Sequence, residues 1–134
     1  MDDSQILIIG ANGQRGTAPQ AQYPNAKAVD SDQLDITDRA EVDNFDWTGI
    51  KIILNAAAYT NVDGAESSEG RVTAWKVNAL GVKNLTYAFW VHQLDAIVHI
   101  STDYVFDGTQ ATHTEEEPFA PLSVYGASKE IGRA

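Results

Sequence analysis

The sequence predicts an α/β domain, doubly wound around a parallel sheet. Three observations carry that prediction: short apolar runs rich in β-branched residues, helical segments alternating with them, and small or polar residues where the runs end. The strongest run is Ile6-Leu7-Ile8-Ile9, ended by Gly10, the pattern of a strand buried on both faces. A helix is expected over 13–22. Lys27-Ala28-Val29-Asp30 is a weaker strand, and the alternating Leu34-Asp35-Ile36-Thr37 reads as a short edge strand. Thr37-Asp38 opens a helix over 38–45, residues 51–55 form another strand, and 64–90 reads as helix with a break. The last strand spans 96–101. From Asp107 to Pro121, with the run Glu115-Glu116-Glu117, the chain reads as a solvated loop, and a further helix starts near residue 123. The sheet is therefore expected to stop after about its fifth strand, with right-handed crossovers. Ligands of such sheets bind beyond the carboxyl ends of the strands, which here are Gly10, Asp30, Asn55 and Ser101.

With 134 residues, 43% of them hydrophobic, the chain fits one domain with a core, residues 1–134. Nineteen acidic residues against nine Lys and Arg give a net charge of −10, which disfavours nucleic-acid backbones and anionic membranes as partners. A nucleotide phosphate needs only local backbone donors, so a dinucleotide stays compatible with that charge. The absence of Cys excludes a disulfide, a thiolate nucleophile and a Cys-ligated metal. The opening MDDSQILIIG has too short an apolar run for a secretion signal or a membrane span, and a cytoplasmic location is expected.

The segment GANGQRG spaces Gly10, Gly13 and Gly16 by three, directly after the strongest strand. Glycines there permit a tight turn, a close approach to a pyrophosphate and close helix packing, which points to a Rossmann-like dinucleotide-binding loop. An ordinary strand–turn–helix would also use them. Asp30, at the end of the second strand, is placed to accept from an adenosine ribose hydroxyl, and reads equally well as a turn Asp. The following helix is anomalous: Arg15 stands where an apolar residue should face the sheet, and Pro19 falls in the expected helix interior, at a cost of about 3 kcal/mol.

Tyr125 and Lys129 are four apart and share one face of the last helix. A nearby ammonium stabilises a phenolate, so such a Tyr becomes a usable acid. The segment ISTDYVFDG delivers the hydroxyls of Ser101 and Thr102 to the same end of the sheet, where one can join Tyr125 at a carbonyl oxygen. His92, His99 and His113 call for no functional reading, His99 being a satisfied histidine at the core edge. Trp47, Trp75 and Trp90 read as packing residues.

GANGQRG, LDITD, NAAAYTNVDGAE, VNALGVKNL, STDYVFDG and PLSVYGASK together resemble the extended short-chain dehydrogenase/reductases and, within them, the dTDP-4-dehydrorhamnose reductases. The resemblance runs from about residue 6 to the end. It implies that Gly10, Asn12, Gly13 and Gln14 line a pyrophosphate, that Asp35 and Ile36 flank an adenine, and that Ala56, Ala57 and Tyr59 contact the ribose and nicotinamide half of NADPH or NADH. Asn78 matches the family's helix Asn and is grouped with the cofactor residues. Thr102, Tyr125 and Lys129 are the implied catalytic triad, with Asp103 and Tyr104 beside a dTDP-sugar. The implied reaction reduces the 4-keto group of dTDP-4-dehydro-6-deoxy-L-mannose to give dTDP-L-rhamnose. Some family members hold Mg²⁺ at a dimer contact; the sequence itself contains no metal cluster.

The chain departs from the family at Arg15, at Pro19, and at Gly132-Arg133, where Gly-Glu is common. Family members are much longer, so the implied unit is an incomplete NAD(P)-binding domain whose smaller substrate domain is absent and which by itself is inactive or very weak. An uncovered sheet edge implies either a longer parent or association, such as a homodimer. Two other readings stand beside the reductase: a non-catalytic nucleotide-binding or regulatory subunit, and another extended nucleotide-sugar epimerase or dehydratase.

Overall fold

A computed structural model describes residues 2–133. Four parallel strands, β1 (Ile6–Ile9), β2 (Lys27–Val29), β3 (Ile52–Asn55) and β4 (Ala96–His99), are ordered β2-β1-β3-β4. β1 is central and all four of its residues are buried. Leu7 and Ile9 point into the larger core with Ile53, Val42, Trp47, Leu85 and Ala88, while Ile6 and Ile8 meet Tyr23, Ala28, Ile52 and Leu54 on the opposite face. Burial of both faces explains why β1 reads as an unbroken apolar run rather than an alternating one.

α2 (Arg39–Asn44) and α4 (Val82–Val91) cover one face of the sheet, whereas on the other α1 (Thr17–Gln22) buries no residue and the chain that follows it packs Tyr23 and Ala26 against Ile6 and Ile8. Asp38 caps α2 by accepting from the backbone N–H groups of Ala40 and Glu41. The long helical region is α3 (Ser68–Trp75), capped by Ser67, continuing through a π-helical turn (Lys76–Gly81) into α4. α5 (Val124–Arg133) packs against α3, the π turn and the short 3₁₀ turn Asp103–Val105.

Several expectations are corrected. The sheet has four strands among the described residues, because residues 34–37 pair with no strand and 36–37 form a turn. Leu34 and Ile36 are buried in the larger core, but the Asp35 carboxylate accepts from the N–H of Thr37 at 2.8 Å, closing a turn where a ladder would need extended backbone. The first helix begins at Thr17 rather than 13, so Pro19 lies in its first turn, where an N–H has no intrahelical acceptor and the interior-proline cost does not arise. Arg15 precedes the helix and does not face the sheet. The loop after Asp107 carries packing of its own: His113 stacks on Phe106 at 4.5 Å and pairs with Glu117 at 3.0 Å. Trp47 is buried as expected, whereas Trp90 is 73% exposed.

Candidate active site

Gly10 ends β1 with φ +77°, a conformation that disfavours side chains, and a Cβ there would lie 2.6 Å from the backbone nitrogen of Ala57. The glycine loop can therefore seat directly on the chain leaving β3. Its inner turns are closed by Gly13 N–H donating to Gly10 O at 3.1 Å and Gly16 N–H donating to Gly13 O at 2.9 Å. Gln20 anchors α1 to the loop by donating to Ala11 O at 2.6 Å.

Between this loop and α5 lies a cleft of about 350 Å³. Gly13, Gln14 and Arg15 form one wall, Ala56 and Ala57 the floor, and Thr102, Asp103, Tyr104, Tyr125 and Lys129 the far side. It opens at the carboxyl ends of β1, β3 and β4, where a doubly wound sheet binds its ligands. Two Tyr rings organise the far side: Tyr104 and Tyr125 meet edge to face at 5.8 Å, and the Tyr125 ring is buried in a small core with Ala65 and Ala74. α5 is held at its start by Ser123, whose Oγ accepts from Gly126 N–H, and by Glu66, which accepts from Val124 N–H at 2.9 Å. The Thr102 hydroxyl accepts from Tyr104 N–H at 3.3 Å and lies 3.3 Å from the Asp103 carboxylate.

Lys129 is almost completely buried and donates to Ile100 O at 2.6 Å. Burial first, and the charge of Arg15 second, lower its pKa from 10.5 to about 8. His99 is 3.5 Å away and is pushed down from 6.5 to about 4, mainly by burial and then by Lys129.

The remaining residues expected at the site fall into three groups. Asp30 lies at the loop, but its carboxylate is engaged by the N–H groups of Asn12 and Ser31, each at 2.8 Å. Asp35 caps its own turn and Ile36 is buried in the core, its carbonyl accepting from Asn84 at 2.8 Å. Asn78 and Tyr59 do not line the cleft. The Asn78 amide is wholly buried in the π turn, where it accepts from Tyr59 N–H at 2.9 Å and donates to Tyr59 O and to Ser128 Oγ. Its role is to bolt the loop after β3 to α5. Arg15, Ala58, Thr60, Val62 and Ile100 line the cleft without having been singled out as binding residues. Arg15 was legible as an anomaly in the helix pattern; the others carry no chemical signal.

Among the described residues no cluster of three or more His, Cys, Asp or Glu side chains can hold a metal ion, so nothing supports a Mg²⁺ site. No helix of the described residues is long and apolar enough to cross a membrane.

Residues 4–134 match the RmlD substrate binding domain family. A dTDP-4-dehydrorhamnose reductase of Aggregatibacter actinomycetemcomitans is 40% identical over 136 residues, covering 96% of this chain and 45% of that protein. The enzyme of the same name from Mycobacterium tuberculosis H37Rv is 40% identical over 139 residues, covering 96% and 44%. A crystal structure of dTDP-4-dehydrorhamnose reductase from Bacillus anthracis, in complex with NADP, superposes with a TM-score of 0.87 at 36% identity, covering 96% of this chain and 47% of that one. The chain spans about half the length of the relatives it matches. Sequence match and shared fold agree, and the chain belongs to the RmlD substrate binding domain family.

Proposed function

We propose that this chain is the cofactor-binding and proton-donating part of an NADPH- or NADH-dependent reductase of dTDP-4-dehydrorhamnose. The observation that carries the proposal is the single cleft joining the glycine loop to Thr102, Tyr125 and Lys129. Its donor set suits a dinucleotide: a glycine turn, the Arg15 cation for a diphosphate, and small Ala56 and Ala57 for a flat ring. When bound, a reduced nicotinamide supplies hydride to the carbonyl carbon of the substrate.

The chain's own residues handle the oxygen. Tyr125 gives its phenolic proton to the carbonyl oxygen as negative charge develops there, and Thr102 offers a second hydroxyl to the same atom. Lys129, in its charged form, stabilises the phenolate left on Tyr125. Asp103 and Tyr104, both exposed at the rim, are placed to meet the sugar. In this reading residues 1–134 form an incomplete NAD(P)-binding domain of a cytoplasmic enzyme, and the sugar-nucleotide pocket needs chain beyond the half represented here. The intact Tyr125, Lys129 and Thr102 constellation favours a reductase over a purely regulatory nucleotide-binding subunit.

Fluorescence titration with NADPH and NADH tests the cofactor step. Saturable binding that is lost in Gly13→Asp supports the reading; no binding of either cofactor at millimolar concentration overturns it. Turnover of the sugar is expected from a family-length version and not from this chain alone.

A further inference from the structure

His99 sits on β4 opposite Asn55 of β3, in register across the sheet. The Asn55 amide is oriented by its neighbour: Oδ1 accepts the backbone N–H of Ala57 at 3.1 Å, so Nδ2 is the atom that faces His99. That Nδ2 lies 3.1 Å from His99 Nδ1. An NH₂ group can only donate, so Nδ1 must accept, and the proton of a neutral imidazole is left on Nε2. Nε2 in turn faces the Lys129 amine at 3.5 Å.

We propose that Asn55 locks His99 in the Nε2–H tautomer and that His99 is thereby a positioning residue, presenting a hydrogen-bond donor to Lys129. A charged ammonium beside that donor sets N–H against N–H. A neutral amine fits: it donates to Ile100 O, where the distance is 2.6 Å, and accepts from His99 through its lone pair. The inverse tautomer would accept from the ammonium and hold its third proton firmly.

The other groups around Lys129 do not remove this bias. Arg15 from the glycine loop and Asp103 from the turn after β4 carry opposite charges and line the same cleft, together with the phenol rings of Tyr125 on the same helix and of Tyr104. His99 and Arg15 therefore both weaken the Lys129 ammonium, so the charged form that stabilises the Tyr125 phenolate is held less firmly than in a free lysine and gives up its proton more readily. The lowered pKa values of His99 and Lys129 agree with a neutral imidazole beside a weakened ammonium.

The catalytic significance of this contact rests on the reductase reading, but its test needs neither cofactor nor turnover, so the two fail separately. Long-range ¹H–¹⁵N spectra of the labelled chain report the His99 tautomer, and the Lys129 ¹³Cε shift reports its titration. The wild-type chain is expected to show Nε2–H. Asn55→Asp keeps an acceptor for Ala57 but replaces the donor facing Nδ1, so it should reverse the tautomer. It should also raise the proton affinity of Lys129 about tenfold, against less than about threefold in a His99→Leu background, where only the added carboxylate charge acts. An Nδ1–H tautomer in the wild-type chain overturns the proposal, as does equal response of Lys129 in both backgrounds. If Asn55→Asp fails to fold, the wild-type tautomer alone decides.

Discussion

The carboxylate of Asp30 accepts the backbone N–H of Asn12 at 2.8 Å, tying the end of β2 to the glycine loop. Its other oxygen accepts from Ser31 N–H at the same distance. The carboxylate therefore shapes the loop before it can select a ribose. Asp30→Ala should weaken binding of NADPH and NADH alike, by about tenfold each, through loss of a charge-assisted hydrogen bond worth roughly 1.5–3 kcal/mol. Paired fluorescence titrations check this. Weakening confined to NADH would show instead that Asp30 acts on the ribose hydroxyl.

His99 sets a window of acid sensitivity. Its folded pKa of about 4 lies below the ordinary 6.5, so between these values the unfolded chain binds more protons than the folded one. Stability must then rise with pH across the window, and fall as the solution is acidified from 6.5 towards 4. Denaturant unfolding at half-unit pH intervals should show that slope, and His99→Gln should flatten it. The carboxylates held low by local hydrogen bonds, Asp2, Asp46 and Asp107, titrate below 3.8 and fall outside the window.

Much of this arrangement was legible in the sequence, for reasons that can be assigned to residues. β1, β3 and β4 announce themselves as apolar, largely β-branched runs at Ile6–Ile9, Ile52–Asn55 and Ala96–His99; β1 and β3 lie in the interior of the parallel sheet, and β4 forms the edge beside β3. Gly10 is legible because its positive φ leaves little alternative. Residues 34–37 mislead because two core anchors separated by one polar residue have the same period whether the backbone is a strand or a turn. The roles of Asn78 and His99 are invisible locally: their partners lie 50 residues away at Ser128, and 44 and 30 away at Asn55 and Lys129. A lone polar residue acquires its function only when the topology supplies the other half of the bond.

Asn78 should be among the most costly polar side chains to remove. Its truncation to Ala strands the part-buried Tyr59 N–H and carbonyl together and removes the donor to Ser128 Oγ, which keeps its own bond to Tyr125 O at 2.7 Å. Asn78→Ala should cost about 3 kcal/mol of stability, measured as a lower denaturant midpoint with unchanged slope. Asn78→Asp should not rescue it, because it restores only the acceptor for Tyr59 N–H.

Gly126 tests whether α5 must lie against the turn that carries Thr102. A Cβ at residue 126 would stand 2.3 Å from the carbonyl oxygen of Tyr104 and 3.1 Å from the Pro121 side chain, and the first of these is backbone that cannot rotate aside. Gly126→Ala would ordinarily favour a helix by about 1 kcal/mol, so any net loss reports the tertiary clash. The helix should be pushed away from Asp103–Val105, separating Tyr125 from Thr102 while the glycine loop, on the opposite wall, stays in place. The expected result is a destabilised fold whose cofactor affinity drops only modestly, with proton donation in a family-length version falling by at least about a hundredfold. Equal activity in that version would mean that the two hydroxyls need not share one carbonyl oxygen, and Thr102 would lose its place in the reaction.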